Sequence, residues 1–258
     1  MAVSRAQTQQ EWRLHNQLRR GSYNTWNRAW AEYYLEQGRI LLNNINTPNA
    51  IFPLEQVSAL FVMMYQDVGG RFANISYDRL KYNIVDLQTK ASDAFVHTWE
   101  EYMANYARTE GALSIVSISN TAQERAAQII QEATAQAIEE GVGVAELAAR
   151  VEELVWEEWK ITSKFNAARI ARTEIIAASN EGAFLGAQST GLPLRKVWLA
   201  TPSGDFRPTH LAANGQTVGM NENFNIGGVM MSKPGDKSAP ASEVINCRCA
   251  VSFTTGLF

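Results

Sequence analysis

The chain has 258 residues, 46% hydrophobic and 19% charged, the make-up of a globular protein with core material for one large domain or two modest ones. Its net charge is −3 and its sequence pI about 5.7, which argues against an electrostatic grip on nucleic acid by the whole chain, because that needs a basic domain or stripe. No run of about 18 apolar residues occurs and residues 1–10 carry no apolar signal core, so neither a membrane span nor secretion is expected, and synthesis and retention in a cytosol are.

Taken in chain order, the first ~190 residues read as helical, with apolar positions recurring at three and four. The first helix carries Trp12, Leu14, Leu18, Tyr23, Trp26, Trp30, Tyr33, Tyr34, Ile40 and Leu41. Thr47-Pro48 reads as a helix start. A helix over 53–68 is expected to stop at Gly69-Gly70. Residues 76–108 read as another helix, with Leu80, Ile84, Leu87, Ala91 and Phe95 on one face. The β-prone stretch 113–118 is expected to be extended and to separate a helical N-terminal region, 1–118, from a second domain, 119–258. Asn120-Thr121-x-x-Glu124 reads as a capping box opening a helix that ends at Gly141 and Gly143. Two more helices are expected, over 144–156 and 165–190, closed by Gly191 and Pro193.

Beyond Pro193 the pattern changes. Residues 196–200 read as a strand, 207–213 as a short helix with Pro208 in its first turn, and 216–218 and 250–253 as short strands. The intervening stretch, rich in Gly, Asn, Pro and Ser, reads as loop. The expected class is therefore α+β: a mostly helical N-terminal body with a small loop-rich α+β unit over 193–258.

The chemically informative residues lie in the last ninety. They are Ala171-Arg172-Thr173-Glu174 on a helix, Trp198 near a strand end, and Asp205, Arg207 and His210 spaced D-x-R-x-x-H. Pro234-Gly235-Asp236 and Glu243-x-x-Asn246-Cys247-Arg248-Cys249 complete the set. In this order the motifs resemble the head-morphogenesis domain of phage Mu protein F and the minor head proteins of many tailed phages, matched over about 165–253. The resemblance implies a minor capsid protein present in few copies near the portal, inside the capsid or virion, that assists head assembly, genome packaging or DNA delivery. The partners it implies are the portal protein, scaffold or major capsid protein, and packaged DNA.

The residues' own chemistry leaves alternatives open. His210, Cys247 and Cys249 are donors of the kind zinc favours, with Asp205, Asp236 or water as a fourth ligand; against this, both cysteines read equally as reduced packing residues and His210 as a satisfied core histidine. A disulfide between cysteines two apart would be strained. Arg172, Glu174, Asp205, Arg207, Glu243 and Arg248 read as an ion-pair network tying the C-terminal unit to the helix, with Trp198 counted in the same structural set and Asn246 as a turn or cap residue. The rival reading is an acid–base site, which would make the chain a metal-dependent hydrolase or nuclease. No nucleophile arrangement and no phosphate loop is present, so an enzyme and a nucleotide cofactor are not expected. Arg13, Arg19, Arg20 and Arg28 read as a solvated helix face, with contact to DNA or to an acidic portal rim as the alternative that would make this a DNA-binding head protein. The N-terminal tryptophans and tyrosines read as core, or else as a surface for a capsid partner.

Overall fold

The computed structural model describes residues 5–82, 93–202 and 207–255. The order of elements is α1 (Arg5–Asn43), a single 3-10 turn (Pro48–Ala50), α2 (Leu54–Tyr82), α3 (Asp93–Thr109), α4 (Ala112–Glu139), α5 (Val144–Ser189), β1 (Leu194–Leu199), α6 (Pro208–Ala212), β2 (Thr217–Gly219), β3 (Phe224–Ile226), β4 (Val229–Met231), α7 (Ala241–Val244) and β5 (Ala250–Thr255). The fold is the expected mostly helical body with a small C-terminal α+β unit. Chain contacts divide it into two units built from separated segments: 1–25, 62–110 and 171–258 in the first, and 26–61 and 111–170 in the second.

Several expected boundaries move. Gly69-Gly70 does not end a helix; α2 passes through it. The physical reason is close packing rather than chain reversal. A Cβ on Gly182 of α5 would lie 2.8 Å from Gly69 Cα, with the Gly69 carbonyl oxygen nearer still, and one on Gly186 would lie 3.0 Å from Ala73 Cα. Two helices can approach backbone to backbone only where side chains are missing. The stretch 113–118 is helical, not extended, and forms the first turns of α4. The expected capping box at Asn120 falls inside that helix and caps nothing. The two helices expected over 144–156 and 165–190 are one, α5, of 46 residues. Thr47-Pro48 opens only the 3-10 turn. Of the face expected over 76–108, Ile84, Leu87 and Ala91 lie outside the described residues.

The second unit is held by an aromatic cluster under α4. Tyr34 and Phe52 rings meet edge-on at 4.5 Å, and the Trp159 indole donates to the Tyr34 carbonyl at 2.9 Å. The buried face of α4 is Ile115, Ser119, Ala122, Ala126, Ile129, Ala133 and Ala137, a three-and-four spacing of small residues that admits a close neighbour. Ser119 Oγ donates to the Phe52 carbonyl at 2.7 Å. The tryptophans of α1 are core: Trp26 and Trp30 are buried in this unit, as is Tyr34, and Trp12 is buried in the first unit with Val197, Leu199 and Ala250.

In the first unit, β1 is the centre of a three-stranded antiparallel sheet of order β2-β1-β5. The register pairs Val197 with Thr217 on one side and Trp198 with Val251 on the other. The stretch expected as loop contains a hairpin, β3-β4, in which Ile226 faces Val229. Gly227 and Gly228 form its two-residue turn with φ of 61° and 96°, left-handed values that favour glycine and match strand twist. Trp198, Phe224, Ile226, Met231, Cys247, Cys249 and Val251 share one small core. No helix among the described residues is long and apolar enough to cross a membrane.

Candidate functional site

The motifs converge on the helix face of α5 that bears Thr173, Ala177 and Asn180, four and three residues apart and so on one side. Asn246 adopts φ of 58°, a conformation asparagine tolerates better than most residues. It is read from α5 twice: its amide donates to Thr173 Oγ1 at 3.1 Å, and its Oδ1 accepts from Arg172 Nη1 at 3.1 Å. Glu174 is buried, accepts from Tyr65 Oη at 2.8 Å and pairs with Lys237. The A-R-T-E motif thus clasps two stretches of the C-terminal unit at once.

The Pro-Gly-Asp turn seats one helical turn further along. Gly235 has φ of 81°, and a Cβ there would lie 2.7 Å from Ala177 Cα, so both conformation and space require glycine. Asp236 accepts from the amides of Ser232 and Ser238 at 2.6 and 2.9 Å and from both hydroxyls. Burial raises its pKa, but these bonds outweigh burial and hold it below the ordinary value. Its oxygens are committed to the turn and do not reach the histidine–cysteine cluster as a fourth ligand.

That cluster packs against Trp198 of β1. His210 projects from α6, and Cys247 and Cys249 from the segment between α7 and β5. The imidazole Nδ1 is 3.6 Å from Cys247 Sγ and 3.4 Å from Cys249 Sγ. Its Nε2 meets Glu243 Oε2 at 2.8 Å, and the Trp198 ring abuts it edge-on with centroids 5.5 Å apart. All three donor residues are 2% exposed. Burial alone would lower the His210 pKa; Cys247 and Glu243 reverse this and raise it. The hydrogen bond with Cys249, and then His210, pushes the Cys247 thiol well below its usual range. Cys249 moves up, first because of Cys247 and then burial.

The remaining predicted residues take simpler places. Arg207 Nη2 donates to the Ile245 carbonyl at 2.6 Å. The Arg248 carbonyl accepts from the Trp12 indole at 2.9 Å. Asp205 lies outside the described residues. Among the described residues, Glu174 pairs with Lys237 and Glu243 with His210, while Arg172 donates to Asn246 Oδ1 and Arg207 to the Ile245 carbonyl.

Four residues at this junction were missed from sequence. Arg19, read as part of a solvated face, is 4% exposed. It donates to Ser179 Oγ at 2.8 Å, Asn180 Oδ1 at 2.9 Å and the Cys249 carbonyl at 3.3 Å. Asn180 also accepts from the Val251 amide at 3.0 Å and donates to the Pro234 and Cys249 carbonyls. Its full hydrogen-bonding capacity is used, as a buried amide requires. Lys196 donates to the Ser232 carbonyl at 2.7 Å with Phe184 and Phe224 rings about its ammonium. Lys233 pairs with Glu181 at 2.7 Å. A usable signal existed: Ser179-Asn180-Glu181 interrupts the otherwise apolar run from Ile175 to Leu185 with three consecutive polar residues. By contrast Arg13, Arg20 and Arg28 are exposed.

Comparison with known proteins bears on what this junction is. The chain is 34% identical over 113 residues to the NAD(+)--arginine ADP-ribosyltransferase EFV of Enterococcus faecalis, a match covering 43% of this chain and 22% of that protein. The chain thus spans about a fifth of the length of the curated relative it matches. No solved structure matches. Residues 128–252 match the family described as Phage Mu protein F like protein, and the clasp on α5, the Pro-Gly-Asp turn and the histidine–cysteine cluster all fall within that matched stretch.

Proposed function

We propose that the protein is a minor head protein of a tailed bacteriophage, carried in few copies near the portal, where it assists head assembly, genome packaging or DNA delivery. The observation that supports this reading is the Mu F-like match over 128–252. The geometry agrees with a structural rather than a catalytic part. Glu174 and Glu243 are engaged by Lys237 and His210, and Arg172 and Arg207 by Asn246 and the Ile245 carbonyl. These groups spend their charge on holding the C-terminal unit to α5, whereas an acid–base site needs groups turned toward a substrate. The transferase activity belongs to the relative's name, and the match covers only 22% of that protein. The partners that fit are a portal, scaffold or major capsid protein. The exposed Arg13, Arg20 and Arg28 of α1 offer packaged DNA only a sparse contact.

The test is quantitative immunoblotting of purified procapsids and virions, with a gene deletion alongside. A few copies per particle, with defective heads or poor DNA content in the deletion, are expected. Particles that lack the protein, with normal yield and DNA content after deletion, overturn the reading.

A further inference from the structure

We propose that His210, Cys247 and Cys249 form a structural zinc(II) site, with Glu243 as the outer partner that fixes the histidine. The inference rests on the donor geometry and stands apart from the head-assembly reading. One imidazole nitrogen and two sulfurs lie within 4.8 Å of one another. Zinc–sulfur bonds of roughly 2.3 Å and zinc–nitrogen bonds of roughly 2.0–2.1 Å, set tetrahedrally, place nitrogen and sulfur about 3.6 Å apart. The two nitrogen–sulfur distances are 3.6 and 3.4 Å. The polypeptide therefore already holds the nitrogen at the spacing from each sulfur that one zinc ion would impose, with the three donor atoms within 4.8 Å of one another.

The tautomer follows from Glu243. A carboxylate 2.8 Å from Nε2 accepts a hydrogen bond from the Nε2–H, which keeps the proton on that nitrogen in the neutral ring and leaves the lone pair on Nδ1, beside the two sulfurs. This carboxylate–histidine arrangement is the one that orients metal-bound imidazoles. One sulfur also meets a donor suited to a thiolate. The Cys249 amide points at Cys247 Sγ at 3.4 Å. Two thiolates and a neutral imidazole are borderline-soft ligands that favour zinc over magnesium or calcium. The described residues supply three of the four ligands, and a water completes the tetrahedron. The ion would join α6 to the approach to β5 around Trp198, where the shared core is small and a metal contributes most.

The experiment uses the untagged full chain, produced with zinc present, and reads metal content by elemental analysis. Cobalt(II) is then exchanged in and the absorption spectrum recorded. The expected results are one zinc per chain and a sulfur-to-cobalt charge-transfer band. Metal should be lost in the Cys247→Ser/Cys249→Ser variant, and affinity should fall about 10–100-fold in Glu243→Gln. If the double variant does not fold, the cobalt spectrum of the wild-type chain decides, because it reports thiolate ligation without any substitution. Absence of both zinc and a cobalt–sulfur band overturns the site. So does zinc retained at full stoichiometry by a folded double variant. Neither result alters the particle-based test of head assembly.

Discussion

Arg19 shows how much a single residue contributes at this junction. It occupies a seam position of α1 where an apolar side chain would ordinarily sit, and three acceptors take its planar fork. Hydrogen bonds to a charged group contribute roughly 1.5–3 kcal/mol, and a buried acceptor left without its donor incurs a penalty of its own. Arg19→Met is expected to lower stability by about that range in urea unfolding. Arg19→Lys should recover little, because an ammonium cannot meet acceptors spread across a guanidinium; full recovery by lysine would show that charge alone matters. Lys196 makes a second residue-scale case. Burial, and then the nearby Lys233, lowers its pKa to about 8. An unfolded lysine titrates near 10.4, so between about pH 8 and 10 the unfolded state holds the extra proton and stability rises with pH. Stability measured from pH 7.5 to 10 should therefore climb in the wild type relative to Lys196→Met, and parallel curves would remove the buried-amine account. Neither residue was legible as a junction residue, because a single Arg or Lys in a helix or strand looks the same in sequence whether solvated or enclosed.

At the scale of elements, the sequence disclosed which segments are helices and strands far better than where they end. The β1 and β5 strands and α6 were legible, since Pro208 fixes a first turn and the strands are apolar runs between turn residues. The helix ends were not, because glycine has two physical uses. At Gly227 and Gly228 it supplies left-handed backbone; at Gly69, Gly182 and Gly186 it removes a side chain so that helices can touch. Only the partner helix, more than a hundred residues away, distinguishes the two. The 113–118 stretch was read as extended from its β-branched residues, but burying Ile115 and Ser119 on one face of α4 overrides that weak local preference. A matched pair of substitutions follows. Gly182→Ala places a methyl against the Gly69 carbonyl and should lower stability by about 1–3 kcal/mol, the usual cost of overpacking. Gly21→Ala, in α1 with nothing within 4 Å of the added carbon, should raise it by about 0.5–1 kcal/mol through helix propensity and unfolded-state entropy. Equal effects in thermal unfolding would contradict the distinction between a packing glycine and an incidental one.

For the whole molecule, the decisive feature is that the unit carrying the candidate site is discontinuous. Its motifs were readable because they are local strings near the C-terminus, and their order alone pointed to the family. The groups that complete the unit come from 1–25 and 62–110, where no string announced them: Trp12 donates to the Arg248 carbonyl, Arg19 to Asn180 and the Cys249 carbonyl, and Tyr65 to Glu174. A fragment of residues 119–258 contains every motif yet lacks all three donors, so Glu174 keeps only Lys237, Asn180 Oδ1 loses its arginine, and the α5 glycines face solvent in place of α2. Buried polar groups stripped of partners cost roughly 1–3 kcal/mol each, and a few such losses consume most of the 5–15 kcal/mol by which a typical domain is stable. The fragment is therefore expected to retain helical far-ultraviolet circular dichroism but to lose the near-ultraviolet signal of Trp198 and to unfold without a cooperative transition. A fragment that melts sharply with the full chain's near-ultraviolet spectrum would mean that the Mu F-like stretch is self-sufficient and that the N-terminal donors merely decorate a fold already made.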